Sequence, residues 1–273
     1  MEIGPGTVAV VTGAGSGIGA ALARAFSTAG CAVVLADIEA APLQRVASSL
    51  SGNVLVVPTD VSDAGAVARL ADAAFERFGA VHVLCNNAGV STFNPTVAQS
   101  LDDWRWVLGV NLWGVIHGVQ SFLPRFIAQG QPAHIVNTSS LAGIASGLPC
   151  LAPYNVTKVG VVAISETLRL ELAMSGASVG VSVLCPGSTE SHILESERNR
   201  PAALGTESRV ADGEAFREAV RASFGSPGAR TPDQVADQVL AAVRAGDFWI
   251  VTSGEMNELI RNRCAELVAA LPA

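Results

Sequence analysis

"TVAVVTGAGSGIGAALARAF", residues 7–26, is the stretch on which the fold turns. Residues 7–11 form a short β-branched apolar run, the signature of a buried strand. Glycines follow at 13, 15, 17 and 19, and then an apolar helical pattern that ends at Gly30. Glycine permits a tight turn and lets backbone N–H groups approach a pyrophosphate closely. The helix that starts near Ile18 points the positive end of its dipole at that anion. Strand, glycine turn and helix in this order predict a dinucleotide site at the start of an α/β sheet. The lesser alternative for this stretch is an ordinary glycine-rich βα turn that holds no ligand.

The rest of the chain repeats the alternation. Strands are expected at 32–36, 54–58, 81–86, 134–139, 179–185 and 247–252. Helices are expected across 62–78, 101–129 and 153–175. The strands are continuous apolar runs rather than alternating ones, which is how strands read when both sheet faces are covered. Strand–helix alternation with right-handed crossovers predicts a single-domain, Rossmann-type, doubly wound parallel sheet of about seven strands with helices on both faces. No internal boundary is evident across 1–273. Residues 190–230 break the rhythm with Glu, Arg, Gly and Pro, and read as an insertion covering the substrate; 253–273 reads as a helical tail.

Composition removes several function classes. The formal net charge is −7 and no Lys/Arg run occurs, so nucleic acid is not an expected partner. The five cysteines are scattered without a C-x-x-C pair, and the four histidines share no metal-ligand spacing, so no metal is expected. His82, His117 and His134 read as structural, while His192 lies in the expected substrate loop. No basic leader with an apolar core begins the chain, and no run reaches the roughly 18 apolar residues of a membrane span. A cytoplasmic protein without membrane contact is expected. Hydrophobic residues make up 49% of the chain, which favours oligomerisation.

The second strand ends in "LADIE", with Asp37 placed to accept hydrogen bonds from an adenosine ribose. A carboxylate there repels a 2′-phosphate, and Ser16 and Ile38 bring no positive charge. NAD is therefore expected as cofactor rather than NADP. The chain's single tyrosine, Tyr154, precedes Lys158 by one helical turn in "APYNVTK". A Tyr–Lys pair at this spacing shares a helix face, and alone it is usually mere packing.

Seven motifs in order resemble those of the short-chain dehydrogenase/reductase family over nearly the whole chain. They are Thr12 to Gly19; Asp60-Val61; Asn86 to Gly89; Asn111 in "GVNLWG"; Ser140 in "VNTSSLAG"; Tyr154 with Lys158; and Pro186-Gly187. The resemblance implies cofactor contacts from Gly13, Ser16, Gly17, Ile18, Gly19, Asp37, Asp60, Val61, Asn87, Ala88, Gly89, Tyr154, Lys158, Pro186 and Gly187. Thr189 and Ser191 stand where Val and Thr are usual in the family; Ser191 keeps a hydroxyl for the nicotinamide amide. It implies a catalytic group of Asn111, Ser140, Tyr154 and Lys158, with Ser139 as the alternative serine.

The chemistry that this implies is alcohol oxidation or ketone reduction. A free phenol titrates near 10 and is a poor base at neutral pH. A nearby ammonium and an oxidised nicotinamide ring favour the phenolate. Lys158 would also hold the nicotinamide ribose, Ser140 would orient the substrate oxygen, and Asn111 would bind a water linking Lys158 to solvent. Ser140, Leu141, Leu148, Tyr154, Ile193 and Leu194 are the expected substrate contacts. Their apolar character predicts a hydrophobic secondary alcohol or its ketone rather than a sugar phosphate. "WVLGVNLWGVIHG" and "SERNRPAALG" also resemble the branch of aryl-alcohol Cα-dehydrogenases. The family resemblance implies a homotetramer or homodimer. A non-catalytic dinucleotide sensor or a scaffold are the other classes: the first would bind nucleotide without turnover, the second would bind none.

Overall fold

The computed structural model describes residues 1–207 and 209–272. The expected 190–230 insertion and 253–273 tail each include one residue, Ser208 and Ala273, that lies outside them. In chain order the elements are β1 (Val8–Thr12), α1 (Gly17–Thr28), β2 (Ala32–Asp37), α2 (Ala40–Ser49), β3 (Val54–Pro58), α3 (Ala64–Phe78) and β4 (Val83–Asn86). Then come α4 (Leu101–Leu108), α5 (Gly114–Gln129), β5 (Ala133–Thr138), α6 (Leu141–Ala145), α7 (Ala152–Ser175) and β6 (Val179–Cys185). The chain continues through α8 (Ala211–Ser223), α9 (Pro232–Ala245), β7 (Trp249–Val251) and α10 (Asn257–Ala269).

Seven strands form one parallel sheet in the order β3-β2-β1-β4-β5-β6-β7. Strand order reverses between β1 and β4. In open α/β sheets, ligands bind in the crevice that this reversal opens beyond the carboxyl ends of the strands. Alternate strand residues feed two cores. Ala9 and Val11 join Leu22 and Phe26 of α1, Leu43 of α2 and Val239 of α9 on one face. Val8 and Val10 join Leu70 of α3, Phe122 and Phe126 of α5 and Leu168 of α7 on the other. Two covered faces explain why the strands read as unbroken apolar runs.

One expectation needs correction, and one stretch holds more regular structure than its composition suggests. The single helix expected across 101–129 is α4 and α5 joined by a π-helical turn, Gly109–Trp113, with Asn111 at its centre. Such π segments recur at functional sites because they re-aim side chains. The 190–230 stretch has regular elements of its own. It contains 3-10 turns at His192–Asn199 and Ala202–Leu204 and then the thirteen-residue α8, which together form a cap.

Candidate active site

The glycine turn is built by close approach. Gly13 has φ +66, and a Cβ there would lie 2.8 Å from Ala88 Cα. Thr12 holds this contact: its hydroxyl accepts from Asn87 N (2.9 Å) and Ala88 N (3.1 Å), while Asn87 Nδ2 donates to Thr12 O (3.0 Å). The ends of β1 and β4 are thereby tied at the switch point. Ser16 sits at the N-cap of α1 with no side-chain capping bond, so the first N–H groups of α1 are not taken by a cap. Asp37 Oδ2 accepts from Gly15 N (2.8 Å) and Oδ1 from Glu39 N (2.9 Å), which fixes the carboxylate at the cavity edge. These features fit the pyrophosphate and ribose of a dinucleotide.

A cavity of about 650 Å³ runs from this turn to the Tyr154 helix. Gly13, Ser16, Gly17, Ile18, Asp37, Asp60, Val61, Asn87, Ala88, Gly89, Pro186, Gly187, Thr189 and Ser191 all line it, as do Ser140, Leu141, Leu148, Tyr154, Lys158 and Ile193. Gly19 lies behind the lining, because its Cα packs so tightly on Gly13 that no Cβ fits.

Lys158 is 3% exposed, and its Nζ donates to Thr138 O at 2.9 Å and sits 5.4 Å from the Tyr154 ring centre. Burial brings its ammonium down to about 8. Burial pushes the Tyr154 phenol up, and a hydrogen bond with the Ser140 hydroxyl pulls it back. Cys185 lies beside them, and burial raises its thiol to about 12, so it stays neutral next to the lysine. Ser140 caps α6, its Oγ accepting from Ala142 N at 3.1 Å. Ser139 instead donates to the backbone carbonyl of Lys158 at 2.7 Å, under Gly143, where a Cβ would fall 2.6 Å from that carbonyl. Ser140 is thus the serine at the phenol and Ser139 a fastener of α7. A second fastener is Asn137, whose Nδ2 donates to Ser165 Oγ (3.0 Å) and whose Oδ1 accepts from Asn86 Nδ2 (2.9 Å).

Two expected positions differ. Asn111 is fully buried and does not line the cavity. Its Oδ1 accepts from Val90 N (2.8 Å) and its Nδ2 donates to Val90 O (2.9 Å) and to Thr157 Oγ1 (3.3 Å). The π turn aims it at the Asn87–Val90 turn, which it holds in place. Leu194 is 2% exposed and also lies outside the cavity: Arg217 donates to its carbonyl, and its side chain packs with Phe93 and Leu151.

Other wall residues escaped the sequence reading. Phe216 and Val220 project from α8 and Phe224 from its C-cap, and Met256 and Leu259 from the start of the tail. The i, i+4, i+8 spacing of the first three was a readable signal. Arg198 and Asn199 reach the adenosine end, where no positive charge was expected; Glu39 pairs with both. The cap is held by buried ion pairs. Arg217 meets Glu207 at 2.7 Å and Arg200 meets Asp103 of α4 at 2.6 Å. Their guanidinium groups also stack on Phe93 and Trp106.

Known proteins share this arrangement. The short chain dehydrogenase family profile matches residues 7–202. A Cα-dehydrogenase of Sphingobium sp. (strain NBRC 103272 / SYK-6) is 36% identical over 255 residues, 92% of this chain and 82% of that one. A 1-deoxy-11-beta-hydroxypentalenate dehydrogenase of Streptomyces arenae is 40% identical over 194 residues, 68% of each chain. A short chain dehydrogenase/reductase from Burkholderia phymatum, solved in complex with NAD, superposes with TM-score 0.95 at 39% identity, covering 100% of this chain and 98% of that one. The profile begins at β1, spans the switch point and the Tyr154 helix, and runs into the cap; the chain belongs to the short-chain dehydrogenase family of oxidoreductases.

Proposed function

We propose that this protein is an NAD-dependent oxidoreductase that interconverts a hydrophobic secondary alcohol and its ketone. The observation that carries the reading is the convergence of Ser140 and Lys158 on Tyr154 at the apolar end of a cavity whose other end is the Gly13–Gly19 turn and Asp37. When bound, NAD supplies the acceptor for a hydride. Gly13, Gly17 and the first N–H groups of α1 would hold its pyrophosphate and Asp37 its adenosine ribose; Asp60 and Val61 would meet the adenine, and Asn87, Ala88, Gly89, Thr189 and Ser191 the nicotinamide half.

Tyr154 takes the hydroxyl proton of the alcohol, or returns it to the ketone oxygen. Ser140 donates to that oxygen and holds it against the phenol, the positioning that makes proton transfer efficient. Lys158 has three N–H donors and uses one on Thr138 O. The others are available to a ribose and to the phenolate, whose negative charge the ammonium favours. Asn111 keeps the Val90 turn in register and acts through it as a positioning residue.

The wall formed by Leu148, Ile193, Phe216, Val220 and Phe224 favours an uncharged, apolar substrate. An aryl-alcohol Cα-dehydrogenase activity is the second reading, supported by the Sphingobium relative. We place the protein in the cytoplasm. Its cysteines are free thiols, and no described helix is long and apolar enough to cross a membrane. A screen of alcohols and ketones that follows NADH absorbance tests the proposal. NADH binding with no turnover on any of them would favour a sensor instead.

A further inference from the structure

We propose that residues 192–199 form a strap across the dinucleotide groove, hinged at buried arginines and latched to Glu39, so that the cofactor leaves only when the latch opens. The inference rests on the reading of the cavity as an NAD site.

The two sides of the strap are fastened differently. On the cap side, Leu194 O accepts from Arg217 Nη1 at 2.5 Å, and Arg200, just past the strap, pairs with Asp103; Arg217, Glu207, Arg200 and Asp103 have side chains at most 4% exposed. Pairs this deeply buried do not open without unfolding the cap, because separation leaves uncompensated charge in an apolar site. On the groove side, three donors converge on Glu39 Oε2: Arg198 Nη2 (2.7 Å), Arg198 Nε (3.0 Å) and Asn199 Nδ2 (3.0 Å). This junction is open to water, with Arg198 35% and Glu39 26% exposed. Exposed pairs are weak and are screened by salt, so this side releases first.

The strap has an internal fastening of its own. Arg198 Nη1 donates to His192 O and Glu195 O, both at 2.9 Å, so the guanidinium that grips Glu39 also ties the turn together. Its course follows the cofactor. Ser191, at its start, packs on Gly17 of the pyrophosphate turn; Glu39, at its far end, stands two residues beyond Asp37. His192, Ser196, Arg198 and Asn199 line the same cavity as Asp37 and Glu39. A dinucleotide lying in the groove would therefore pass beneath the strap.

The test is the rate at which NADH leaves a preformed complex, read by nucleotide fluorescence in a stopped-flow displacement with excess NAD. Glu39→Gln and Arg198→Met should each release NADH more than threefold faster than the parent, with a weaker dependence on salt. In the parent, hydrogen exchange at the amides of residues 192–199 should slow when NADH binds. Release within threefold of the parent from both variants, or exchange in this segment unchanged by NADH, would overturn the strap while leaving the cofactor reading intact. Failure of the parent to bind NADH would remove the cofactor reading and the strap with it.

Discussion

Asp103 and Arg200 stand 97 positions apart in sequence, yet meet at 2.6 Å with side chains 1% and 2% exposed. The second carboxylate oxygen of Asp103 accepts from Ser100 N at 2.6 Å and closes the capping box of α4. One carboxylate thus begins a helix and anchors the cap. Asp103→Ala breaks both and takes from the buried guanidinium its shortest ion pair, leaving only Glu197 at 3.8 Å and the Leu204 carbonyl at 3.1 Å, which should cost about 3 kcal/mol. Urea unfolding checks this; a loss below about 1 kcal/mol would mean that water reaches Arg200 in the variant.

Tyr154→Phe keeps the ring in its apolar surroundings and removes only the proton acceptor. Turnover should be abolished while NADH binding stays close to that of the parent. Residual activity within tenfold of the parent would remove Tyr154 from the mechanism. Lys158→Ala should weaken NADH binding as well as turnover, because the same ammonium serves ribose and phenolate.

Asp37 should give a preference for NAD over NADP on the order of tenfold to a thousandfold. At about 4 Å and an effective dielectric near 20, the repulsion between a 2′-phosphate charge and the carboxylate is roughly 4 kcal/mol before screening. Arg198 does not offset this, because Glu39 already pairs with it. Asp37→Ala should weaken NAD and admit NADP. The comparison is kcat/KM for both cofactors on one alcohol, and equal values in the parent would refute the assignment.

His134 should make stability fall in acid. Its ring is 3% exposed, with Nε2 2.7 Å from Ser182 Oγ, and burial, aided by the N-terminal ammonium, lowers it to about 4. The unfolded chain binds a proton below about 6.5 and the folded one only below about 4. Stability is therefore full above about 6.5, declines by about 3 kcal/mol as pH falls to about 4, and levels off below that. His134→Gln should flatten this window relative to the parent in urea unfolding across pH. Parallel curves for the two proteins would show that the buried ring does not titrate as inferred.

The protein should associate into dimers or tetramers. Trp113 and Ile127 near and on α5, and Leu170 and Met174 on α7, are 51–88% exposed. Large apolar side chains grouped on helix faces mark association surfaces. Sedimentation at micromolar concentration checks this, and a monomer would exclude it.

The sheet was legible because its strands are buried on both faces and read as uninterrupted apolar runs such as 179–185. The cofactor end was legible because glycines at 13, 17 and 19 answer a steric demand that no other residue meets. The cap was not. Arg200 and Arg217 look like solvent-facing charges until partners distant in sequence or fold reach them: Asp103 comes from α4, Glu207 from the turn before α8. Nor did composition reveal the π turn, at whose centre Asn111 meets the Val90 backbone across 21 positions. The burial of Leu194 was not legible either, since Phe93 and Leu151, against which it packs, come from distant segments of the chain.

The two fasteners on α7 have a consequence for how this enzyme can change. Ser139 grips the helix at Lys158 and Asn137 grips it at Ser165, two turns further on. A part located by one pin can still swivel; located by two, it can neither swivel nor slide. The reference distance between Tyr154 and the ends of the strands is therefore set from the sheet, not from the cap. Exchanges at Phe216, Val220 and Ile193 should therefore reshape the apolar wall of the cavity while the sheet still sets the position of the helix that carries Tyr154 and Lys158.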